Sequence, residues 1–379
     1  AGRHRGLDGF TATVLPENYR MLGVFRSAGF EVSTRFEDGV IAVDLGIDIT
    51  AETSSIMADR QRSATARSVA RILEARTVAV IGASREPGSV GHELVRHLIG
   101  GGRGVDGGGS EPGPLRVLPV NPSADQILGR TCHATIAEAA AALGPSGVAA
   151  EPAGGSGHGA TEAEDPDGGA VIDLAVIAVR ADQVIDVVRQ CAEVGVRGLL
   201  VVSAGFAEAG DTGAAFEAEL VDLARDNGMR LIGPAAFGLI NTALPGPLFA
   251  VYHPVLVEPG RVAVASQSGP LGAAVLDRMR SHGIGVSSFV GIGNRADVSV
   301  NDLLDYWGLD GATDAVVLYV ENVGNLRNFS NSARRTSLAK PIITIRPSSP
   351  DQVELLRQAG VILVDPVSYT HPTLPTTSP

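Results

Sequence analysis

Three short stretches of this 379-residue chain carry residue types suited to holding an anion. The first is TVAVIGASREPGSVGHELVRHL, residues 77–98. There Gly82, Ser84, Ser89 and Gly91 separate an apolar run, Thr77 to Ile81, from an amphipathic pattern with Leu94, Val95 and Leu98 on one face. Backbone N–H groups and hydroxyls at a helix N-terminus meet the positive end of the helix dipole, so such a turn suits a phosphate. The plain alternative is a tight strand-to-helix turn without a ligand. The dinucleotide fingerprint G-x-G-x-x-G is absent, because Ala83 and Ser84 follow Gly82, and this weighs against NAD. The second stretch, VLPVNPSADQILG, ends its strand at Asn121-Pro122, the carboxyl edge where open α/β sheets bind ligands. The third, ASQSGPLG, sets Ser266, Gln267, Ser268 and Gly269 between a strand and a helix start, as an anion nest or an ordinary serine N-cap.

Alternating strands and helices must position these turns. Apolar runs at 77–81, 115–120, 171–179, 198–203 and 229–232 read as strands, with helices near 90–99, 135–143, 181–194 and 212–227. This is the βαβ rhythm of an open parallel sheet. Two insertions without apolar period, GGGRGVDGGGSEPGP and GPSGVAAEPAGGSGHGATEAEDPDGG, read as mobile surface loops. After a Pro/Gly-rich connection from Pro245 to Pro259 the rhythm restarts, and its near-continuous apolar strands predict a second parallel sheet buried on both faces. Ahead of both, PENYRMLGVFRSAGF reads as a helix ending at Gly29, and EVSTRFEDGVIAVDL as a hairpin turning at Glu37-Asp38-Gly39. Residues 51–76 read as a linker helix.

Bulk properties narrow the function. A formal net charge of −12 argues against nucleic acid or an anionic membrane as the main partner. No apolar stretch nears the roughly 20 residues that span a bilayer, and AGRHRGLDGF lacks the apolar region of a signal peptide. Cys132 and Cys191 are the only cysteines, too few for a disulfide framework or structural zinc site, and Cys191 falls in an apolar helix pattern. A cytoplasmic location is the expectation.

The segments AVIGAS, VLPVNP…ILG, LLVVSAGFAE, RLIGPAAFGLIN, VAVASQSGPLG and GNRADVSVNDLLDYWGLDGATDAVVLYVE occur in this order. Together, over about 77–365, they resemble the NDP-forming acyl-CoA synthetases, relatives of the succinyl-CoA synthetase α subunit. The resemblance implies a Rossmann-like CoA-binding domain over 77–250 and a flavodoxin-like ligase domain over 258–366. The ligand of the first turn would be coenzyme A or an acyl-CoA, bound by Gly82, Ser84, Ser89, Gly91, Asn121 and Pro122. Ser266–Gly269 would form a phosphate nest. Residues 1–50 resemble the last helix and hairpin of a GNAT acetyltransferase, a domain known fused ahead of such a synthetase half in protein lysine acetyltransferases. That fusion implies a regulatory, acyl-CoA-sensing role and an acetyltransferase domain as partner, in a protein that could form homo-oligomers. The tail, VSYTHPTLPTTSP, resembles translated sequencing-adapter read-through, so both ends of the chain are expected to be artificial.

Departures from the family pattern bear on mechanism. Family synthetases carry phosphate on a histidine in a Ser-His-Thr-Gly-like loop before an AGVI strand. Here no histidine stands between Arg346 and Ala359, and a phosphoryl relay needs that nucleophile. His253, His282 and His371 are poor substitutes, placed in a loop, at a helix end and in the suspect tail. Ala235 and Ala236 stand where the family usually has Asn and a small polar residue, and the ATP-grasp domain is missing. Glu208 matches a family glutamate near the histidine, or is a solvated loop acid. The expectation is a coenzyme-binding chain without ligase activity of its own. The alternatives are a synthetase subunit completed by another chain and an NAD(P)-binding redox protein.

Overall fold

The computed structural model of the chain describes residues 9–15, 21, 31–37, 40–46, 51–101, 115–143, 172–321, 326–345 and 350–364. Two units divide at Thr65/Ala66. In the first, β1 (Gly9–Val14), β2 (Glu31–Glu37) and β3 (Val40–Gly46) form an antiparallel sheet in the order β1-β3-β2. The β2–β3 hairpin follows its alternating sequence. β1 was not expected; it adds a third strand, and Asp44 on β3 binds Arg35 on β2 at 2.7 Å and Thr11 on β1 at 3.3 Å. The helix expected over 16–29 lies, apart from Met21, outside the described residues, as do most of both insertions and the tail.

Helix α1 (Ala51–Leu73) is more than a linker. Its last turns bury Ala66, Val69, Ile72 and Leu73 in the core of the second unit, and the Leu73 carbonyl accepts a buried bond from Asn241 Nδ2 at 2.9 Å. The first sheet of that unit comprises β4 (Thr77–Ile81), β5 (Arg116–Val120), β8 (Leu174–Ile177), β9 (Gly198–Val201) and β10 (Arg230–Ile232). The short antiparallel pair β6 (Gln126–Ile127) and β7 (Arg130–Thr131) follows β5. The helices are α2 (Val90–Gly100), α3 (Ile136–Ala141), α4 (Ala181–Glu193) and α5 (Asp211–Asp226). The strands are parallel in the order β10-β9-β8-β4-β5. The chain therefore leaves β4 toward one edge for β5 and then crosses to the other side for β8. Loops after β4 and β5 flank the point of reversal, where open α/β sheets leave a crevice.

The second sheet holds β11 (Gly238–Asn241), β12 (Leu248–Val251), β13 (Pro259–Ser266), β14 (Val286–Gly291), β15 (Ala315–Tyr319), β16 (Ile342–Ile345) and β17 (Val361–Val364). Between them run α6 (Gly269–Ser281), α7 (Val300–Leu309), α8 (Leu326–Ser337) and α9 (Pro350–Gln358). Strand order is β12-β11-β14-β13-β15-β16-β17. Two expectations are corrected here. Residues 238–251 belong to this sheet, not to the first, and β11 pairs antiparallel with both β12 and β14, so the sheet is mixed. The residues of β11 and β12 are buried throughout, which gives GLIN and LFAV the same unbroken apolar signature as a parallel core strand.

Candidate functional site

The β4–α2 turn is built by contacts that only glycine permits. Gly82 has φ +89°, and a Cβ on it would lie 2.4 Å from the Ala178 carbonyl oxygen. A Cβ on Gly91 would lie 1.9 Å from the Gly82 carbonyl oxygen, so the first turn of α2 rests directly on the end of β4. The serine hydroxyls serve the loop itself. Ser84 Oγ accepts the Glu86 N–H at 3.0 Å, while Ser89 caps α2 by accepting the His92 N–H and donates to the Glu86 carbonyl at 2.7 Å. The hydrogen bonds within the turn leave the N–H groups of Ser84, Val90 and Gly91 unused. Ser89 spends its O–H on the loop, whereas Ser84 only accepts there, so an anion here would meet main-chain donors together with the Ser84 hydroxyl.

Asn121 joins this turn. Its Nδ2 donates to the Ala83 carbonyl at 2.6 Å and its Oδ1 accepts the Ser123 N–H at 2.7 Å. Pro122 sits exposed between them. Arg85, which the sequence reading passed over, bridges the same two loops by donating to the Ser123 carbonyl at 3.1 Å. The predicted residues 82–91 and 121–122 thus converge at the topological reversal of the sheet, with an exposed guanidinium beside them. Cys132 lies just behind, its thiol pushed up by burial and directed at the Asn121 carbonyl, 3.7 Å away. Cys191 is buried in α4 and is pushed up to about 12, an inert core thiol.

The Ser266–Gly269 stretch belongs to the second sheet. Ser266 is fully buried and donates to the Ser268 carbonyl at 2.6 Å; Ser268 Oγ caps α6 on the Leu271 N–H. Pro270 has no N–H, so the first turn offers an anion few donors. A Cβ on Gly269 or on Gly291 would lie 2.5 Å from Phe237, which packs across the start of α6. Phe237 also meets His253 face to face at 5.8 Å and Tyr252 at 5.6 Å. The geometry fits a serine N-cap under an aromatic lid more closely than an open nest.

Glu208 is not a free loop acid. Its carboxylate accepts the N–H groups of Gly205 (2.6 Å) and Phe206 (3.2 Å) and the Asn294 side-chain amide. Burial works to raise this carboxyl, but those bonds outweigh it and hold it below its usual range. Asn294 Nδ2 also donates to Glu217 at 2.8 Å. The segment carrying Asn294 is fixed by Asp297, whose side chain is 4% exposed and pairs with Arg225 and Arg230. Asn294 and Asp297 lie in GNRADVS, whose only sequence signal was its place in the ordered set of segments. The equivalent pairing of Glu217 from α5 had no sequence signal.

His97 ties α2 to the edge of the second sheet, its Nδ1 hydrogen-bonded to the Val251 carbonyl at 2.6 Å and its Nε2 facing Arg96 at 2.7 Å. Burial first, and then the Arg96 charge, hold the ring below its usual value of 6.5 against the opposing pull of the Val251 bond. A lowered folded value means that the stability contribution is complete above about pH 6.5 and is lost as pH falls through the folded value. The urea midpoint of His97→Gln should therefore change less than that of the wild type between about pH 7.5 and about pH 5.5. Equal changes would remove His97 from the acid response.

Residues 76–242 match the CoA binding domain and residues 259–354 the succinyl-CoA ligase like flavodoxin domain. The chain is 33% identical over 279 residues to an acetate–CoA ligase [ADP-forming] I subunit alpha of Pyrococcus furiosus, covering 74% of this chain and 52% of that protein. It is also 33% identical over 276 residues to an acetate–CoA ligase [ADP-forming] I of Archaeoglobus fulgidus, covering 73% of this chain and 34% of that protein. A solved dinucleotide forming acetyl-coenzyme A synthetase 1 of Ca. Korarchaeum cryptofilum, in complex with phosphate and ADP, superposes with a TM-score of 0.61 at 31% identity. That match covers 76% of this chain and 57% of the other. The chain thus spans about half or less of the length of these curated relatives. It carries a CoA-binding domain and a succinyl-CoA ligase-like flavodoxin domain, homologous to those of NDP-forming acyl-CoA synthetase α subunits.

Proposed function

We propose that this chain binds coenzyme A or an acyl-CoA, with the pyrophosphate on the main-chain N–H groups of the Gly82–Gly91 turn, and has no acyl-CoA synthetase activity by itself. The observation that carries the first half is the turn itself. It stands at the reversal of a parallel sheet, held by Gly91 against Gly82 and by Asn121 against Ala83, with Arg85 at its rim. The match of residues 76–242 to a CoA binding domain supports the same ligand. Calorimetry with coenzyme A and with NAD is the test. Heat from coenzyme A alone is expected; heat from NAD alone would return the chain to the redox reading.

The second half rests on chemistry. A covalent phosphoryl carrier needs a nucleophilic imidazole, and residues 346–359 contain none. His253 stacks on Phe237, and His282 sits at the exposed end of α6, bonded to Ser281 and the Arg278 carbonyl. Incubation with γ-labelled ATP should leave no acid-labile phosphohistidine on the chain. Label that disappears in His253→Ala or His282→Ala would show that the chain does start the reaction. Two finer readings belong to the same proposal: residues 1–50 as the end of a GNAT acetyltransferase domain, and a regulatory role for the coenzyme-binding half. Their support is the sequence resemblance and the β2–β3 hairpin. The domain matches lie within 76–354.

A further inference from the structure

We propose that His92 is a positioning residue of the β4–α2 turn, its ring holding the Ser84–Arg85 peptide so that the loop N–H groups stand ready for a phosphate. The proposal rests on the reading of this turn as the coenzyme site. His92 is the third residue of α2 and is 8% exposed. Its Nδ1 lies 3.1 Å from the Ser84 carbonyl oxygen. A carbonyl oxygen only accepts, so the proton of this bond sits on Nδ1. Nε2 has no hydrogen-bond partner among the described residues, which leaves the Ser84 bond as the one fixed polar contact of the ring. Burying an imidazole costs free energy that a leucine in the same space would not cost. Packing alone therefore does not account for a histidine here; the carbonyl it holds does.

Peptide geometry gives the bond its consequence. The Ser84–Arg85 peptide is trans, and in a trans peptide the carbonyl and the N–H point in opposite directions. A ring that holds the Ser84 carbonyl on one side therefore turns the Arg85 N–H to the other. Asn121 acts likewise one peptide earlier, since its bond to the Ala83 carbonyl turns the Ser84 N–H away from it. No hydrogen bond among the described residues uses the N–H of Ser84 or Arg85. Successive free N–H groups of this kind form a concavity that takes an anion. The helix supplies a second pair, the free N–H groups of Val90 and Gly91. His92 belongs to both halves. Its main chain follows Gly91, with its N–H capped by Ser89 Oγ at 3.4 Å, while its ring reaches back eight residues to Ser84. It is thus a strut between the loop donors and the helix donors, fixing their spacing before any ligand arrives. Donors held in place beforehand spare a ligand the cost of ordering them.

The test places His92→Leu and His92→Asn in the full chain. Calorimetry reads coenzyme A affinity, and circular dichroism reads thermal unfolding without ligand. Leucine fills the space and donates nothing, whereas asparagine sets an amide N–H close to the position of Nδ1. His92→Leu should melt with the wild type and bind coenzyme A about three- to tenfold more weakly, the scale of one lost hydrogen bond. His92→Asn should melt lower, because it leaves space unfilled, yet bind within about twofold of the wild type. Affinity then follows the donor while stability follows the buried volume, a crossing that a merely structural histidine would not produce. Affinity that falls in step with melting temperature in both variants overturns the role. Imidazole nitrogen shifts of the labelled wild type give a reading that requires no variant to fold. The His92 proton should sit on Nδ1, and coenzyme A should move that nitrogen; a proton on Nε2 overturns the role. No heat from the wild type overturns the coenzyme reading and this role with it. Heat from the wild type with equal affinity in His92→Leu overturns the role alone.

Discussion

Gly91→Ala is expected to abolish coenzyme A binding at the proposed turn and to lower the melting temperature of the second unit. The added Cβ would lie 1.9 Å from the Gly82 carbonyl oxygen and 3.0 Å from Ala83 Cα. Both are main-chain atoms, with no rotamer to swing aside, so α2 must lift off β4. Overpacking of a core commonly costs about 1–3 kcal/mol, and a backbone collision of this depth lies at the upper end or beyond. The same movement would separate the Val90 and Gly91 N–H groups from Ser84 and disperse the proposed anion site. Gly91→Asp acts through this collision before its charge matters. Gly100→Ala, at the far end of the same helix, meets nothing within 4 Å and should leave affinity and melting unchanged. Calorimetry and thermal unfolding read both; coenzyme affinity retained in Gly91→Ala would move the ligand elsewhere.

Asp297→Ala should destabilise the second unit by about 3–5 kcal/mol, the usual cost of removing one partner from a buried charge pair. Its carboxylate receives Arg225 at 3.0 and 3.1 Å, Arg230 at 2.8 Å and the Leu231 N–H at 3.0 Å. Arg230 also reaches Ser68 on α1 and Asp302 on α7, so the aspartate holds the first sheet to the segment leading into α7. Asp297→Asn keeps the shape and loses the charge, and should cost less. Urea denaturation gives both values; a loss below about 1 kcal/mol for Asp297→Ala would mean that Asp302 alone neutralises Arg230.

Local pattern made most elements of the second unit legible. Apolar runs between glycine turns mark β4, β8, β9 and β13, and the bounds of α2, α4 and α5 fall close to their sequence periods. Pattern could not assign strands to sheets. GLIN and LFAV look like any buried strand, and only the antiparallel register with β14 shows which sheet takes them. The site divides in the same way. Gly82 and Gly91 were readable because their need is steric and local. The commitment of the Ser89 hydroxyl to its own loop was not, since a capping serine and a phosphate-binding serine have the same sequence. Asn294 reaches Glu208 and Glu217 across 86 and 77 residues, and one chain carries no mark of such a pairing.

The placement of β11 also governs how this protein can be cut, by an experimenter or by recombination between genes. The CoA binding domain match ends at residue 242, directly after β11. A fragment stopping there would keep an apolar strand with neither of its neighbours, β12 and β14, and expose an edge ready to pair with other chains. A complementary fragment starting at 259 would lack both strands and bare one side of β14. Severing the chain between Ile232 and Gly238 instead leaves each sheet with all its strands, but the first piece then loses the Asn241 bond that caps α1. Transplanting the coenzyme-binding half therefore requires the hairpin and its host sheet to travel with it.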